Sequence, residues 1–196
     1  MRITKERAAE NRARVVEAAA ALFRERGFDN VGVAELMAAA GLTHGGFYNH
    51  FGSKDELEAA ACGAVFERSV ARIGAIADTP EAAAREAAFE LYRTRYVSEE
   101  ARDSNAASCP MVAFAGDVSR QAPAVREAYA KGLADYLEAF VRASGRPRDE
   151  AIRVFAELVG ALTLARSVAE SDAALSDEIL AAAREGASDS DTPDRT

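Results

Sequence analysis

A short run of hydrogen-bonding side chains after residue 43 carries the clearest chemistry in this sequence of 196 residues. Asn49 can pair with the edge of an adenine, and His44 can donate to a guanine or to a phosphate. Three further side chains suit phosphate oxygens, which position a protein on a duplex without reading its sequence: Tyr48, His50 and Lys54. These residue types at this spacing predict a surface that contacts DNA.

Two adjacent glycines stand within this run. Gly45 and Gly46 are unusual in a short helix, since each Gly costs about 1 kcal/mol relative to Ala there. In one interpretation, the missing side chains let the backbone approach DNA closely. In the other, the two glycines form a loose turn with no role in binding.

The elements that must position this run match a helix-turn-helix. An apolar stripe predicts a first helix over 12–26, which Gly27 ends. Two short helices follow, over 33–40 and 44–51, and the turn between them contains Gly41. A turn of three or four residues with a Gly is typical of a helix-turn-helix, whose second helix enters the major groove. From the pattern alone, DNA binding and an ordinary helical turn are equally open.

The rest of the chain predicts an all-α protein with about nine helices. Ala, the best helix former, accounts for 46 residues, and no segment alternates like a half-buried strand. Thr43 is a good N-cap for the third helix, and Ser53 with Glu56 forms a capping box that opens a long helix to 76. The remaining predicted helices span 80–97, 110–120, 123–144, 147–169 and 172–184, with a loop over 99–108 and a disordered tail over 187–196.

Charge is divided unevenly along the chain. The net charge is −8, but residues 1–54 hold eight Lys or Arg against six Asp or Glu, a net of +2. The other 142 residues hold 16 against 26, a net of −10. This division favours separate roles for the two parts of the chain. Two cysteines and the lack of a long apolar run predict a protein of the reducing cytoplasm with no membrane-spanning segment.

Residues 12–57 resemble the N-terminal domain of TetR-family transcriptional regulators. The family's elements are a helix ending in Leu-Phe and Gly-Phe, an Ala-Gly turn followed by Val or Leu and Ser or Thr, a Tyr-x-His-Phe core and a Ser-Lys pair. In this sequence they are Leu22-Phe23, Gly27-Phe28, Ala40-Gly41-Leu42-Thr43, Tyr48-Asn49-His50-Phe51 and Ser53-Lys54.

The resemblance implies DNA contacts at individual positions. It implies phosphate contacts from Thr43, Tyr48, His50 and Lys54. It implies base contacts around His44, Gly45 and Asn49, with Gly46 in the same contact segment. The family usually has Thr or Ser where Val31 and Gly32 stand. Gly32 can still offer a backbone N–H to a phosphate, but the side-chain contact is missing.

The resemblance also implies the organisation of the whole chain. A helix-turn-helix DNA-binding domain over 1–53 precedes a helical ligand-sensing and dimerisation domain over 54–186. The implied function is that of a ligand-responsive repressor, which binds a palindromic operator as a homodimer. A small, largely apolar effector releases it, and no cofactor, metal or membrane is expected.

Two sets of apolar residues are candidates for effector and partner binding. Side chains of the middle helices are candidate pocket residues, although such side chains more often form ordinary core: Phe66, Phe89, Tyr92, Tyr96, Met111, Phe114, Tyr129 and Phe155. The last two helices hold the candidates for a dimer interface: Phe155, Val159, Leu162, Ala165 and Leu180. No strong cluster of Arg and His points to an anionic effector.

Two other classes of protein compete with this interpretation. An enzyme is not favoured, because no nucleotide-binding loop, zinc-protease or serine-hydrolase motif is present and both histidines lie in the predicted DNA-contact segment. His44 and His50, six residues apart, are also a poor pair of metal ligands. A protein-interaction module that has lost DNA binding is supported only by Gly32 and by the lack of Lys or Arg over 44–51. Cys109 is a candidate redox switch, but it and Cys62 are more simply small apolar residues.

Overall fold

The computed structural model describes residues 5–104 and 109–189. They form nine α-helices, one 3₁₀ helix that we label η1, and no strand, so the predicted all-α class is confirmed. None of the described helices has the length and apolar character needed to cross a membrane. In chain order the elements are α1 (Lys5–Arg26), α2 (Val33–Ala39), η1 (His44–Asn49), α3 (Lys54–Ala77), α4 (Ala82–Tyr96), α5 (Glu99–Asp103), α6 (Pro110–Val118), α7 (Pro123–Ser144), α8 (Arg148–Val168) and α9 (Ala173–Asp189).

Several predicted helix boundaries are corrected. α1 begins at Lys5, about two turns earlier than predicted, because its first residues are good helix formers without an apolar stripe. α4 begins at Ala82, just after the predicted start at Pro80. α9 continues to Asp189, so the predicted tail begins inside a helix, and residues 190–196 lie outside the described range.

A short helix occupies part of the stretch that was predicted to be a loop. α5 is a single turn that begins after Ser98. The Ser98 hydroxyl oxygen accepts a hydrogen bond from the Ala101 backbone N–H at 3.1 Å and so satisfies one of the open donors at the start of the helix. A helix of this length shows no apolar period in the sequence, which explains the wrong prediction.

Glycines in the left-handed region end three of the helices. Gly27, Gly41 and Gly145 have φ of +78°, +69° and +66°. The Gly27 N–H donates to the Phe23 carbonyl at 2.9 Å, as expected of the residue that closes α1. A residue with a Cβ pays about 1–2 kcal/mol in this conformation. The predicted helix ends at Gly27 and Gly41 are confirmed.

The described residues fall into two compact units. The first unit is made from Met1–Val70 and Cys109–Tyr136. Its core contains three aromatic rings: the Phe28 ring centroid lies 5.2 Å from that of Phe23 in α1 and 4.8 Å from that of Phe114 in α6. α6 therefore packs against the first helix and shares its core with the segment before α2.

The second unit is made from Ala71–Ser108 and Leu137–Thr196. α8 and α9 are consecutive helices that pack along each other, and α4 packs against α5, α8 and α9. The buried Ser176 hydroxyl of α9 donates to the Ala165 carbonyl of α8 at 2.9 Å. Arg166 donates at 3.0 Å to the carbonyl that follows α5 and holds this short helix against α8.

The two units do not coincide with the predicted ranges 1–53 and 54–186. The first part of α3, through Val70, belongs to the first unit, and so does α6. The assignment of one range to DNA binding and the other to sensing stays a prediction about function.

Replacing Gly41 by Ala should lower the free energy of unfolding by about 1–2 kcal/mol, because the left-handed backbone is strained with a Cβ. That Cβ would also stand 2.9 Å from Nη2 of Arg14. Gly63→Ala is the matched control. A Cβ at Gly63, inside α3, meets no atom within 4 Å, so this substitution should stabilise by up to about 1 kcal/mol. Urea denaturation followed by circular dichroism measures the free energy of unfolding of both variants. Changes of the same sign would contradict the left-handed conformation at Gly41.

Candidate nucleic-acid interface

A Schellman motif forms the turn before η1. The N–H groups of Gly41 and Leu42 each donate at 2.9 Å to a carbonyl in the last turn of α2. From α1, the Arg14 guanidinium donates to the carbonyl of Ala40. The direction in which the chain leaves α2 is therefore set by hydrogen bonds both within the turn and from the first helix.

The predicted third helix is a 3₁₀ helix and not an α-helix. The Gly46 N–H donates to the Thr43 carbonyl at 3.0 Å. The His50 N–H donates to the Phe47 carbonyl at 2.9 Å, again three residues back. Two adjacent glycines lower the α-helical propensity of this segment, which is the physical reason for the difference.

Two phenylalanines anchor η1 to the core of the first unit. Phe47 and Phe51 are almost completely buried, and their stacked ring centroids are 5.7 Å apart. The Arg12 guanidinium lies 4.7 Å from the centroid of the Phe51 ring, and its Nη2 is 3.4 Å from Oε1 of Glu56. Burying each aromatic side chain contributes up to about 3 kcal/mol. This burial fixes which side of η1 faces outward.

The outward side of η1 holds the residues predicted to contact bases. The Tyr48 side chain is 75% exposed. A Cβ at Gly45 would meet no atom within 4 Å, whereas a Cβ at Gly46 would stand 3.6 Å from Cε of Met37. Four further residues of the segment are exposed: Thr43, His44, Gly45 and Asn49. Gly46 and His50 are half-buried, so they stand at the margin of the exposed face.

Neither Thr43 nor Gly32 caps its helix with a side chain. Thr43 precedes η1 in an extended conformation and makes no side-chain cap hydrogen bond, which corrects the predicted capping role. Gly32 is the N-cap residue of α2, and a Cβ there would meet no atom within 4 Å. Both residues are exposed, as a contact with phosphate requires.

The predicted capping box at the start of α3 is confirmed in one half. The Ser53 hydroxyl oxygen accepts from the Glu56 backbone N–H at 3.1 Å. The Glu56 carboxylate accepts from the Gly52 N–H at 2.8 Å, one residue earlier than the motif predicts. Glu56 thus braces the connection between η1 and α3.

Lys54 has partners inside the first unit. Its ammonium donates to the Phe28 carbonyl at 2.8 Å and lies 3.1 Å from Oε1 of Glu58. Burial raises the pKa of Glu58, and the hydrogen bond and positive charge of Lys54 partly oppose this shift. Lys54 therefore ties the start of α3 to the segment after α1, and a phosphate contact would have to use its third N–H donor.

The eight predicted pocket residues are divided between the two units. The first unit contains Phe66, Met111, Phe114 and Tyr129, and the second contains Phe89, Tyr92, Tyr96 and Phe155. In the first unit Phe66, Met111 and Phe114 are buried, and Tyr129 is half-buried. The Phe66 ring packs directly on the backbone of Gly132, because a Cβ at that position would overlap the ring. Phe114 has no exposed surface. The assignment of these four residues to a ligand pocket stays a prediction.

The four candidates in the second unit form one aromatic cluster, together with a residue that sequence reasoning missed. The Phe140 ring centroid lies 5.1 Å from those of Phe89 and Phe155. The Tyr92 ring lies 6.4 Å from Phe89 and 5.8 Å from Tyr96. α4, α7 and α8 each contribute at least one ring. We refer to these five residues as the aromatic cluster.

A buried charge beside this cluster was also missed. Arg93 of α4 is 2% exposed. The available signal was its spacing, because it stands four residues after Phe89 and three before Tyr96, on the apolar face of an α-helix. Arginine is rarely buried, so its residue type predicts an exposed side chain even at this position of the helix.

The residues predicted to form a dimer interface are mostly buried within the single chain. Val159 is half-buried, and four are buried: Phe155, Leu162, Ala165 and Leu180. These four side chains have little exposed surface to bury against a second copy, and their place in a dimer interface stays a prediction. The large apolar side chains exposed on α8 and α9 are Ile152, Leu164 and Leu175.

The two cysteines lie in the first unit. Burial raises the pKa of the Cys62 thiol to about 12, so it is protonated and unreactive at neutral pH. Cys109 is half-buried, with Sγ 3.9 Å from Sδ of Met111. Over the described ranges, no group of three or more His, Cys, Asp and Glu residues is placed to hold a metal ion.

The N-terminal region matches known regulators in sequence. Residues 15–61 match the model of a family described as bacterial regulatory proteins, tetR family. Two relatives from Pseudomonas putida, the HTH-type transcriptional regulator TtgR and the probable HTH-type transcriptional regulator ArpR, are each 44% identical over 57 residues. This match covers 29% of the chain and 27% of each relative.

Solved structures share the fold over most of the chain. The reduced form of NemR from E. coli superposes with a TM-score of 0.73 at 21% identity and covers 90% of this chain and 94% of that one. A TetR-family transcriptional regulator from Cytophaga hutchinsonii gives a TM-score of 0.72 at 17% identity, covering 94% and 96%. At such identities the likeness shows the fold alone.

α2, the glycine turn and η1 together form a helix-turn-helix in the first unit. Residues 15–61 match the tetR family of bacterial regulatory proteins, so the predicted resemblance is confirmed for this N-terminal region. The two relatives and the protein from Cytophaga hutchinsonii are transcriptional regulators, one of the relatives a probable one.

The raised pKa of Glu58 predicts a pH dependence of stability. The folded state binds the Glu58 proton more tightly than the unfolded state, so stability is lost as pH rises from the ordinary value near 4.5 through the raised pKa. The stability of the wild type relative to Glu58→Gln should therefore fall across this window. Lys54→Met, which removes the partner that lowers the pKa, should steepen the fall. Denaturation at several pH values measures both, and parallel curves for wild type and Glu58→Gln would contradict the shift.

Proposed function

We propose that this protein is a ligand-responsive transcriptional repressor that binds a palindromic operator as a homodimer and acts on DNA in the cytoplasm. The observation that carries this proposal is the exposed face of η1. Tyr48, His44 and Asn49 point away from the core while Phe47 is buried beneath them. A short helix presented in this way after a tight glycine turn is the part of a helix-turn-helix that enters the major groove.

The chemistry of this face divides into reading and positioning. Asn49 and His44 carry the donors and acceptors that base edges match. Gly45 has open space around it, which allows the backbone to come close to a base pair. Thr43 and Tyr48 carry exposed hydroxyls suited to phosphate oxygens.

Dimerisation is supported by the exposed surface of the last two helices. Leu164 on α8 is 58% exposed and Leu175 on α9 is 41% exposed. Gly160, one turn before Leu164, has open space where a side chain would stand, so a second helix can approach closely there. Two copies then place two η1 segments in successive major grooves, about 34–36 Å apart.

Effector release needs two conformations with different affinities for the effector. A ligand that binds better to the form with the wrong separation of the two η1 segments lowers operator affinity by that difference. The aromatic cluster of the second unit supports an apolar ligand, since such sites are lined mainly by hydrophobic and aromatic side chains.

Selection of bound sequences from random duplex DNA tests the proposal, followed by a salt titration on the enriched sequence. We expect a palindrome whose affinity falls steeply with salt, because each neutralised phosphate releases a counterion. A folded protein that enriches no sequence, both as purified and after unfolding and refolding to strip any bound ligand, would overturn it.

Two substitutions on η1 should have different effects on DNA binding. Asn49→Ala should weaken binding to the selected operator by about ten- to a hundredfold and relax the preference at one base pair. Tyr48→Phe removes one hydroxyl and should weaken all duplexes by a similar, smaller factor. Both side chains are exposed, so thermal unfolding should not change. Fluorescence anisotropy on the operator and on single-base variants separates these outcomes, and identical profiles would contradict the division of roles.

Leu164→Lys should shift the protein from dimer to monomer, because a charge replaces exposed apolar surface at the proposed interface. Leu91→Lys is the matched control, since Leu91 is 51% exposed on α4, outside the last two helices. Sedimentation velocity measures the oligomeric state of each variant. Loss of the dimer in both variants, or in neither, would argue against an interface on α8.

A further inference from the structure

α4 buries a guanidinium in the second unit. Arg93 is among the largest fully buried side chains of the chain. It follows Phe89 by one turn and precedes Tyr96 by one turn, so all three side chains share the buried face of α4. A charge in such a place is costly unless every donor is paired.

The pairing of Arg93 is incomplete. Nη1 donates to both carboxylate oxygens of Glu90, at 2.8 and 3.0 Å. Nε is buried, and in the described part of the chain it has no hydrogen-bond acceptor. A guanidinium offers five N–H donors in a planar fork, and Glu90 uses only one of its nitrogens. The geometry that suits a carboxylate best, two parallel hydrogen bonds, is not used.

Glu90 is a replaceable partner for this charge. Its side chain is 39% exposed, whereas that of Arg93 is 2% exposed. When another anion binds the guanidinium, Glu90 can turn to water, because its carboxylate is already partly hydrated and a half-exposed ion pair contributes little. The Arg93 side chain is too deeply buried to turn to water in the same way.

Stability gives no reason to keep this charge. Replacing a buried ion pair by apolar side chains of similar volume is often neutral or stabilising. Arg93 shares the buried face of α4 with Phe89, whose ring contacts that of Phe140 at 5.1 Å, so an apolar residue at position 93 would suit this face. The unpaired Nε of a buried arginine next to aromatic residues of the same helix face is therefore a candidate donor for an anion.

We propose that Arg93 binds the carboxylate of the effector, whose apolar body lies against the aromatic cluster. This inference rests on the proposed function for the existence of an effector, and it adds the chemical class: an aromatic or aliphatic monocarboxylate. One buried positive charge balances one negative charge, which favours a carboxylate over a phosphate dianion. The proposal adds one carboxylate to the largely apolar effector that the sequence predicts, although no strong cluster of Arg and His points to an anionic one.

Binding then brings a second carboxylate to the same guanidinium. The effector accepts from Nε and from Nη2, the terminal nitrogen that Glu90 does not use. One positive charge then faces two carboxylates, so the charge of Glu90 opposes effector binding and Glu90 turns to water. The two residues of this ion pair should have opposite effects on affinity, which a purely structural ion pair would not show.

Calorimetric titration of the full-length protein tests this assignment. The probes are octanoate, 3-phenylpropanoate and 2-naphthoate, each paired with its neutral primary amide, and inorganic phosphate. We expect at least one carboxylate to bind tenfold or more tightly than its amide. Arg93→Met should remove that difference, and Glu90→Gln should tighten carboxylate binding several-fold. Arg95→Met, at an exposed position of the same helix, is the matched control and should change neither.

Three outcomes would overturn the proposal: equal binding of acids and amides, an acid preference that survives in Arg93→Met, or no binding of any of the three carboxylates. Tighter binding of phosphate than of carboxylate would overturn the assigned class. If Arg93→Met does not fold, Arg93→Gln replaces it, and the opposite sign expected for Glu90→Gln still tests the idea.

Operator binding is measured separately, so the two proposals can fail independently. If a carboxylate binds through Arg93 without changing operator affinity, the proposal of effector release is wrong and the carboxylate site at Arg93 is supported. If a ligand releases the operator equally from wild type and Arg93→Met, the carboxylate site at Arg93 is wrong and the ligand-responsive regulator is supported.

Discussion

The left-handed turn at Gly41 is the constraint on which the exposed face of η1 depends. Its backbone hydrogen bonds close α2, and Arg14 holds the carbonyl just before it. The chain can leave this turn in only one direction, so Phe47 enters the core and Tyr48 reaches solvent. A side chain at position 41 would meet the same guanidinium that fixes the turn. The hydrogen bond from Arg14 to the Ala40 carbonyl therefore requires a glycine at position 41.

The first unit supports this turn with more than three helices. Lys54 donates to the Phe28 carbonyl, and the Phe28 ring packs on Phe114 of α6. A helix from the middle of the chain thus completes the core beneath the helix-turn-helix. Because protein cores are close-packed, a shift of α6 has to be accommodated at Phe28. The packing of the first unit gives its middle helix a physical means to act on the segment that precedes α2.

The second unit presents the opposite case, a polar group inside an aromatic core. The cost of burying Arg93 is offset only in part by Glu90, which keeps much of its own exposure. This cost falls on the face of α4 that also carries Phe89 and Tyr96. Such local inconsistency between side-chain chemistry and surroundings is expected at functional sites more than elsewhere in a fold.

The amino-acid sequence by itself determined the all-α class, most helix positions and the glycine helix ends, because apolar periodicity and left-handed glycines are local properties. It also determined the outward side of η1, since the aromatic residues at 47 and 51 stand one turn apart. Tertiary structure alone decided which apolar face of α8 is core and which is exposed, because that helix is apolar on several sides. It alone placed α6 in the first unit and buried Arg93, because both depend on contacts between residues far apart in the chain.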